Sequence, residues 1–319
     1  MKMNTVAVFG ASGKIGGRVL PLVRERGAQV RALVHRTPIE MDGVETITGS
    51  IADPEAVREV VAGADVVVQM ATTKEDPDTF FDVSVKGTFN VLEACRDEGV
   101  NQFIIFGGDA SFGIWFYPQP IPIDESHKLM AYPGHYAFSK VMEEVMTEQY
   151  GIQYGVPWTV VRSSWVFDED DLLGHFSLLD NVDPSEPGHG FGDQPPEIMK
   201  LVEAGDERVV IQTNGEGVPY TRHIVHIDDL MQGFGLVLGN EVALGRSFNI
   251  AAPAAFNYRP AADYLSDKTG APTLELPCPG YHSFEIDINR ARAMLGYAPE
   301  NDVFTMADRA LAWRAANSD

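Results

Sequence analysis

A tyrosine and a lysine four residues apart form a pair that could move a proton. The chain reads Tyr136-Ala137-Phe138-Ser139-Lys140, and in a helix this spacing places the first and last side chains on one face. A lysine ammonium beside a phenol favours the phenolate and lowers the pKa of the tyrosine from about 10. Tyr136 would then accept or donate a proton near neutral pH. The same spacing in an exposed helix would carry no chemistry.

A glycine-rich turn near the start of the chain supplies a second signal. The strand-like run Thr5–Phe9 ends in a glycine turn, and a helical pattern follows. Glycines here permit a tight turn and close approach to a pyrophosphate, while the helix N-terminus offers unpaired N–H groups to the phosphates. The place of the turn between a strand and a helix is the context that a dinucleotide requires. The residues expected to bind the dinucleotide in this turn are Gly10, Ser12, Gly13, Lys14, Ile15 and Gly16.

The end of the second predicted strand favours NADP over NAD. Sites that select NAD usually carry an acidic residue about 20 residues after the glycines, which binds the adenosine ribose 2′-hydroxyl. Here the strand ends in His35-Arg36, with no acid at its tip. The planar guanidinium of Arg36 could pair with a 2′-phosphate, and His35 could contact the same edge of the cofactor. We therefore expect NADP, with NAD as the alternative and a solvated surface arginine as the other interpretation of Arg36.

These residues need a scaffold of alternating strands and helices to position them. Strands are predicted at Thr5–Phe9, Gln29–Val34, Val44–Ile47, Asp65–Gln69, Gln102–Phe106 and Trp158–Val161. Helices are predicted at Lys14–Arg26, Pro54–Ala62, Thr79–Glu98 and Tyr136–Tyr150. Apolar residues recur in the third helix at spacings of three and four, which indicates a buried face made of Phe81, Val85, Phe89 and Leu92. The alternation predicts an α/β fold with a doubly wound parallel sheet of the Rossmann type.

The pattern loosens after Arg162, and we expect a smaller lobe there. Residues 168–196 are rich in Asp, Gly, Pro and His and indicate a long irregular segment, which is common in lids and substrate walls. Later strands are predicted at Arg208–Gln212 and His223–His226, and later helices at Asp228–Leu238, Asn289–Leu295 and Phe304–Ala316. The prediction is an NAD(P)-binding domain over residues 1–165 with a returning segment at about 219–250. Residues 166–218 and 251–319 would form the substrate-binding lobe.

The composition disfavours several classes of function. The 319 residues include 46 Asp and Glu against 24 Lys and Arg, a formal net charge of −22. Nucleic acids and anionic membranes are disfavoured partners because both require a basic surface. No apolar run reaches the roughly 18 residues of a membrane span, and no signal-peptide pattern is present. Two cysteines and unclustered histidines favour neither disulfides nor a metal site. We expect a cytoplasmic protein that acts on a small molecule.

The two motifs together resemble those of the extended short-chain dehydrogenases/reductases, a family of NAD(P)-dependent epimerases, dehydratases and reductases. The resemblance covers nearly all of the chain and includes three further stretches, Met70–Thr72, Gly87–Glu93 and Arg222–Leu230. It implies that Tyr136 is the catalytic acid/base and that Lys140 holds the nicotinamide ribose while lowering the pKa of the tyrosine. It also implies a homodimer built on the helices at 79–98 and 136–150. The further cofactor contacts that it implies are Ser50, Ile51, Met70, Ala71, Thr72 and Ser163.

The chain departs from the family pattern at the catalytic hydroxyl. Family members usually place a catalytic Ser or Thr just after the fifth strand, where this chain has Gly108. Ser111 is the nearest hydroxyl, 25 residues before Tyr136, and could substitute for it. The alternative is a turn serine bonded to its own backbone, and Asp109 is a weaker candidate for the catalytic role.

A second departure concerns the substrate. Nucleotide-sugar enzymes of the family usually carry an asparagine where this chain has Trp165, whereas Arg222 matches an arginine that often binds a diphosphate. Trp115 lies in an aromatic stretch that could wall the pocket or pack between the lobes. Asp109, Trp115, Trp165 and Arg222 are therefore the candidate substrate-binding residues. We expect a substrate smaller or less charged than a nucleotide sugar.

Three functions fit these features. The first is an NAD(P)-dependent oxidoreductase that moves hydride between the nicotinamide and a carbinol or carbonyl carbon of a small sugar-like or aromatic substrate, with Ser111 orienting the oxygen. The second is a sugar or nucleotide-sugar epimerase or dehydratase that oxidises its substrate transiently. The third is a regulator that senses NAD(P) without catalysis, which the missing serine favours and the intact tyrosine–lysine pair opposes.

Overall fold

Seven parallel strands form the central sheet. The structure, a computed structural model, describes residues 1–183 and 194–317. The strands are Thr5–Phe9 (β1), Gln29–Val34 (β2), Val44–Thr48 (β3), Val66–Gln69 (β4), Gln102–Gly108 (β5), Trp158–Ser163 (β6) and Arg246–Ile250 (β11). They lie in the order β11-β6-β5-β4-β1-β2-β3, and every neighbouring pair is parallel. The strand order reverses between β1 and β4, so the predicted doubly wound sheet is confirmed.

Helices cover both faces of this sheet. The helices are Lys14–Glu25 (α1), Pro54–Val61 (α2), Gly87–Glu98 (α3), His135–Tyr154 (α4), Asp171–His175 (α5), Leu178–Asn181 (α6), Pro196–Glu203 (α7), Ile227–Val237 (α8), Tyr258–Thr269 (α9), Asn289–Leu295 (α10) and Val303–Asn317 (α11). Alternate residues of β1 enter two separate cores. Val6 and Val8 pack into the core that includes α1 and α8, whereas Ala7 and Phe9 pack into the core that includes α2 and α3. Burial on both faces explains the continuous apolar runs of the strands.

The third predicted helix differs from the prediction in its first turn and in its buried face. A π-helical turn, Phe81–Lys86, precedes α3. Phe81 and Phe89 are 52% and 44% exposed, so half of the predicted apolar face is wrong. The buried stripe runs instead through Ser84 and Thr88, whose hydroxyl oxygens accept hydrogen bonds from Thr73 and Gln69 inside the fold. A search for apolar residues alone overlooks this buried face, because its polar side chains form hydrogen bonds inside the protein.

The later segments form three two-stranded sheets. They join Trp165–Phe167 (β7) to Ile224–His226 (β10), Thr221–Arg222 (β9) to Phe256–Asn257 (β12), and Val209–Thr213 (β8) to Thr273–Pro277 (β13). The segment 168–196, predicted to be irregular, contains α5 and α6, and its residues 184–193 lie outside the described part of the chain. β11 and α9 are absent from the predictions. β11 extends the central sheet beside β6, and α8 packs against α1.

The division of the chain into a cofactor domain and a substrate lobe stays a prediction. Within residues 1–183 and 194–317, no helix combines the length and the apolar character needed to cross a membrane.

Candidate active site

A cavity of about 940 Å³ lies along the carboxyl ends of β1, β4, β5 and β6. Ligands of doubly wound sheets bind at this edge, where the strand order reverses. Most of the predicted site residues line the cavity, namely Gly10, Ser12, Gly13, Lys14, Ile15, Gly16, His35, Ser50, Ile51, Met70, Ala71, Thr72, Asp109, Tyr136, Lys140, Ser163 and Trp165. Four predicted residues are not among those lining it, namely Arg36, Ser111, Trp115 and Arg222.

The glycine turn leaves a cradle that side chains would fill. Gly10 has a φ of +81°, and a Cβ there would lie 2.6 Å from the backbone nitrogen of Ala71. A Cβ on Gly16 would lie 2.4 Å from the carbonyl oxygens of both Gly10 and Ala11. Gly13 precedes α1 without a side-chain cap, so the first N–H groups of the helix are free for a ligand. The turn therefore fits the pyrophosphate of a dinucleotide.

Two ion pairs tie the start of α1 to the segment after β7. The ammonium group of Lys14 contacts the carboxylate of Asp171, and an Arg18 Nη lies 2.8 Å from Asp168 Oδ2. Lys14 lines the cavity but already has this anionic partner. The start of α1 and the segment after β7 therefore meet beside the cavity.

The tyrosine and the lysine lie on one face of α4, as predicted. Lys140 Nζ is 5.7 Å from the centre of the Tyr136 ring. The ammonium donates hydrogen bonds to Glu143 Oε2 at 2.8 Å and to the carbonyl oxygen of Phe106 at 3.2 Å. The lysine is therefore held by one carboxylate and one carbonyl, at the same wall of the cavity as the phenol.

The pKa of Tyr136 is raised, not lowered as the sequence predicts. Burial of the phenol is the largest cause, since it disfavours the charged phenolate. The positive charge of Lys140 lowers the pKa, but the negative charges of Asp109 and Glu143 raise it again. The spacing of tyrosine and lysine could not indicate these carboxylates, because one comes from the end of β5 and the other from the next turn of α4.

Ser111 does not reach the position of the family's catalytic hydroxyl. A Cβ on Gly108 would lie 3.7 Å from the Tyr136 hydroxyl oxygen, so Gly108 marks that position. The hydroxyl of Ser111 is fully buried, 2.8 Å from the carbonyl oxygen of Gly108 and 3.0 Å from Glu144 Oε1. Ser111 therefore has the geometry of a turn serine that hydrogen-bonds to its own backbone, which is the alternative interpretation of its place in the sequence.

Asp109 is a buried carboxyl on the cavity wall. The Ser164 hydroxyl lies 2.8 Å from its Oδ2 and also contacts the carbonyl oxygen of His223. Burial raises the pKa of Asp109 to about 7, and the Ser164 hydroxyl and the Arg222 charge oppose that shift. Asp109 is therefore protonated more readily than an exposed aspartate, and its charge acts on the nearby Tyr136 phenol.

Arg222 and Trp115 lie behind the cavity wall instead of on it. Arg222 is 1% exposed, and its guanidinium carbon lies 3.3 Å from the ring centre of Trp115 and 4.1 Å from that of Trp165. Trp115 also stacks on Tyr281, with ring centres 4.7 Å apart. Both residues thus belong to an aromatic layer between segments, and Trp165 alone of the three lines the cavity.

Two buried glutamates beside Lys140 are functional candidates that the sequence reasoning missed. Glu143 is bound to Lys140, and burial raises its pKa to about 7 despite that partner. Glu144 Oε2 lies 2.7 Å from an Arg162 Nη, inside the core. Their spacing of three and four from Lys140 was the available signal, since such residues share a helix face.

Across the described ranges, no group of three or more His, Cys, Asp or Glu side chains is placed to hold a metal ion.

Comparisons with known proteins agree with this architecture. The family model "NAD dependent epimerase/dehydratase family" matches residues 6–178. A solved short-chain dehydrogenase/reductase superfamily protein from Agrobacterium tumefaciens, with bound NAD, is 23% identical, covers 98% of both chains and has a TM-score of 0.86. A putative UDP-glucose 4-epimerase of Methanocaldococcus jannaschii is 24% identical over 98% of this chain and 99% of its own length. The L-arabinose 1-dehydrogenase (NAD(P)(+)) of Haloferax volcanii is 24% identical over 53% of this chain and 70% of its own.

The fold is the one seen in the solved short-chain dehydrogenase/reductase superfamily protein, and the cavity lies at the edge of the sheet where ligands of such folds bind. The chain belongs to the NAD-dependent epimerase/dehydratase family, because the family model spans more than half of it. The resemblance seen in the sequence is thereby confirmed. The relatives carry the names of dehydrogenases, reductases and epimerases, so the alternative of a non-catalytic regulator is not supported.

Proposed function

We propose that the protein is a dehydrogenase or reductase that moves hydride between a nicotinamide and a carbinol or carbonyl carbon of a small substrate. The observation that carries this proposal is the placement of Tyr136 and Lys140 on one wall of a cavity that begins at the glycine turn. The indole-bearing residue Trp165 lines the same cavity. An aromatic face on the cavity wall suits a sugar-like or aromatic substrate.

The residues of the chain would divide the work as follows. The bound nicotinamide supplies the acceptor or donor of hydride. Tyr136 takes the proton of the substrate hydroxyl during oxidation and returns it during reduction. Lys140, held by Glu143 and the Phe106 carbonyl, keeps a positive charge beside the phenol and a third N–H free for the nicotinamide ribose. The walls position the reacting atoms, which is itself a large part of catalysis.

The preferred cofactor in this proposal is NADP. The glycine turn, Ser50, Ile51 and Met70–Thr72 would hold the dinucleotide along the cavity. His35 lies at the edge of this wall, and Arg36, next to it, is exposed and free to meet a 2′-phosphate. NAD remains the alternative.

An epimerase is the second candidate function. It is favoured by the putative UDP-glucose 4-epimerase that matches the whole chain. The same tyrosine would serve a transient oxidation, and turnover would then leave the amount of reduced cofactor unchanged.

The test is absorbance at 340 nm with NADP or NAD against a panel of aldoses, uronates, polyols and aromatic alcohols. We expect a substrate-dependent increase that is larger with NADP. Silence across the panel with the cofactor still bound would favour the epimerase, which is then assayed by product analysis at constant absorbance.

Glu143 should contribute to the pH dependence of this reaction. Oxidation needs Tyr136 as phenolate, so the rate rises with pH through the pKa of the tyrosine. Burial raises that pKa most, Lys140 lowers it, and the carboxylates of Asp109 and Glu143 raise it further. Glu143→Gln removes one negative charge, so the rise in kcat should move to lower pH, with a loss in maximal kcat of less than about tenfold.

The control for this variant is Glu148→Gln, an exposed residue of the same helix. Its pH profile should match that of the unaltered enzyme. A lower kcat in Glu143→Gln with an unmoved profile would contradict the electrostatic role and leave only a structural one.

A homodimer and a cytoplasmic location complete the proposal. The exposed apolar side chains Phe81, Phe89, Phe138 and Val145 lie on the π-helical turn, α3 and α4, and exposed apolar patches are typical of protein interfaces. Sedimentation at the monomer mass would contradict the dimer. The reducing cytoplasm is supported by two cysteines that are both free and buried.

A further inference from the structure

Arg222 is a buried cation without an anionic partner among the described residues. It makes one hydrogen bond, from Nη1 to the Tyr258 hydroxyl oxygen at 3.3 Å. Its Nε and Nη2 are buried and have no hydrogen-bond partner. The guanidinium is held between the indole rings of Trp115 and Trp165, whose π-faces attract cations. Three N–H bonds of a planar anion-binding group therefore point to no acceptor.

Two groups near Arg222, His175 and Cys278, are uncharged at neutral pH, and a third, Asp109, is ionised only in part. His175, 2.6 Å from the Tyr258 hydroxyl, has its pKa lowered to about 3 by burial and by the Arg222 charge. Burial raises the pKa of the Cys278 thiol to about 12. Asp109, the carboxyl that interacts with Arg222 through space, has a pKa raised to about 7. Arg222 is thus a buried cation whose charge no nearby group balances in full.

Of the two tryptophans that contact the guanidinium, Trp165 lines the cavity and Trp115 does not. Trp165 is 37% exposed and lines the cavity, whereas Trp115 is buried against Tyr220 and Tyr281. Trp165 begins β7, and its main chain is fixed by pairing with Ile224 of β10. Its indole therefore both contacts the guanidinium and lines the cavity, where it can cover the guanidinium from a ligand.

We propose that Trp165 determines specificity by closing an anion subsite that Arg222 would otherwise provide at the substrate end of the cavity. This proposal rests on the proposed function and names its substrate class: a substrate without a diphosphate at the position of the indole. A diphosphate would need the guanidinium as its counter-charge, and in this chain the guanidinium is covered by an aromatic face. A substrate that stacks on Trp165 with a neutral ring or carbon chain gains contact there instead.

The experiment measures binding of UDP by isothermal titration calorimetry. The protein is first saturated with whichever of NAD and NADP it binds more tightly, so that UDP cannot occupy the glycine turn. The unaltered protein should show no binding up to about 1 mM UDP. Trp165→Ala should bind UDP at least about tenfold more tightly than that limit, and the double variant Trp165→Ala/Arg222→Gln should lose this gain.

Trp165→Phe is the matched control, because a phenyl ring keeps an aromatic cover over the guanidinium and should leave UDP unbound. Cofactor affinity is measured for each variant as the sign of an intact fold. Trp165→Val, which suits a strand, replaces the alanine variant if that one loses the cofactor.

Three results would overturn the proposal. They are UDP binding by the unaltered protein, no gain in either open variant, and a gain that survives loss of the Arg222 guanidinium. Calorimetry needs no turnover, so failure of this proposal is separate from failure to find a substrate at 340 nm.

Discussion

Replacing Tyr136 with phenylalanine should reduce kcat by about a hundredfold or more and leave the affinity for the cofactor almost unchanged. The substitution removes one oxygen atom, the group proposed to take and return the substrate proton, and keeps the ring that lines the cavity. A hundredfold loss corresponds to about 2.7 kcal/mol of transition-state stabilisation. Initial rates at 340 nm give kcat, and calorimetric titration with NAD and NADP gives the affinity.

Tyr154→Phe is the matched control for this variant. Tyr154 lies on the same helix, is exposed, and contacts Arg96 and Tyr150 away from the cavity. It should turn over at the rate of the unaltered enzyme. If Tyr136→Phe retained turnover, the phenol would not be the acid/base, and the buried carboxyl of Asp109 would become the first group to test.

The fold could be predicted because its signals are local. The strand that enters the glycine turn was placed correctly, and the helix that leaves it to within one residue, because apolar runs and glycines lie next to each other in the chain. β11 escaped prediction although Phe248 and Ile250 are fully buried. Its pattern is short, and its partner β6 lies more than eighty residues away in the chain. Pairing over such distances leaves no periodic trace in the strand itself.

The candidate site could be predicted only where one motif contains all of its parts. Tyr136 and Lys140 are such a case, since a single helix sets their spacing. Ser111 is a different case, because its hydroxyl is held by the local carbonyl of Gly108 and also by Glu144, 33 residues later. Arg222 likewise depends on Trp115 and Trp165, two rings from distant segments.

The pKa of Tyr136 likewise depends on residues outside the motif. The lysine alone predicts a lower pKa for Tyr136, but burial and two carboxylates reverse the direction. Burial and long-range contacts decide these properties, and a single sequence records neither.

The second large effect is expected on cofactor affinity when one of two adjacent glycines at the start of α1 is replaced. Replacing the other glycine should leave the affinity unchanged. Gly16→Ala should lower cofactor affinity at least about tenfold, because its Cβ would lie 2.4 Å from two backbone carbonyl oxygens of the turn. Neither carbonyl can move without changing the surface that faces the pyrophosphate. Overpacking of this kind costs about 1–3 kcal/mol, so the melting temperature should fall as well.

Gly17→Ala is the control because a Cβ there meets nothing within 4 Å. Both residues lie in α1, where alanine is favoured over glycine by about 1 kcal/mol. Gly17→Ala should therefore bind the cofactor normally and melt at the same or a higher temperature. Calorimetric titration and thermal unfolding by circular dichroism measure both quantities. Equal cofactor affinities for the two variants would show that close packing of α1 against the turn does not shape the phosphate site. A loss confined to Gly16→Ala would locate the pyrophosphate at that turn, since only there does the added methyl group meet backbone.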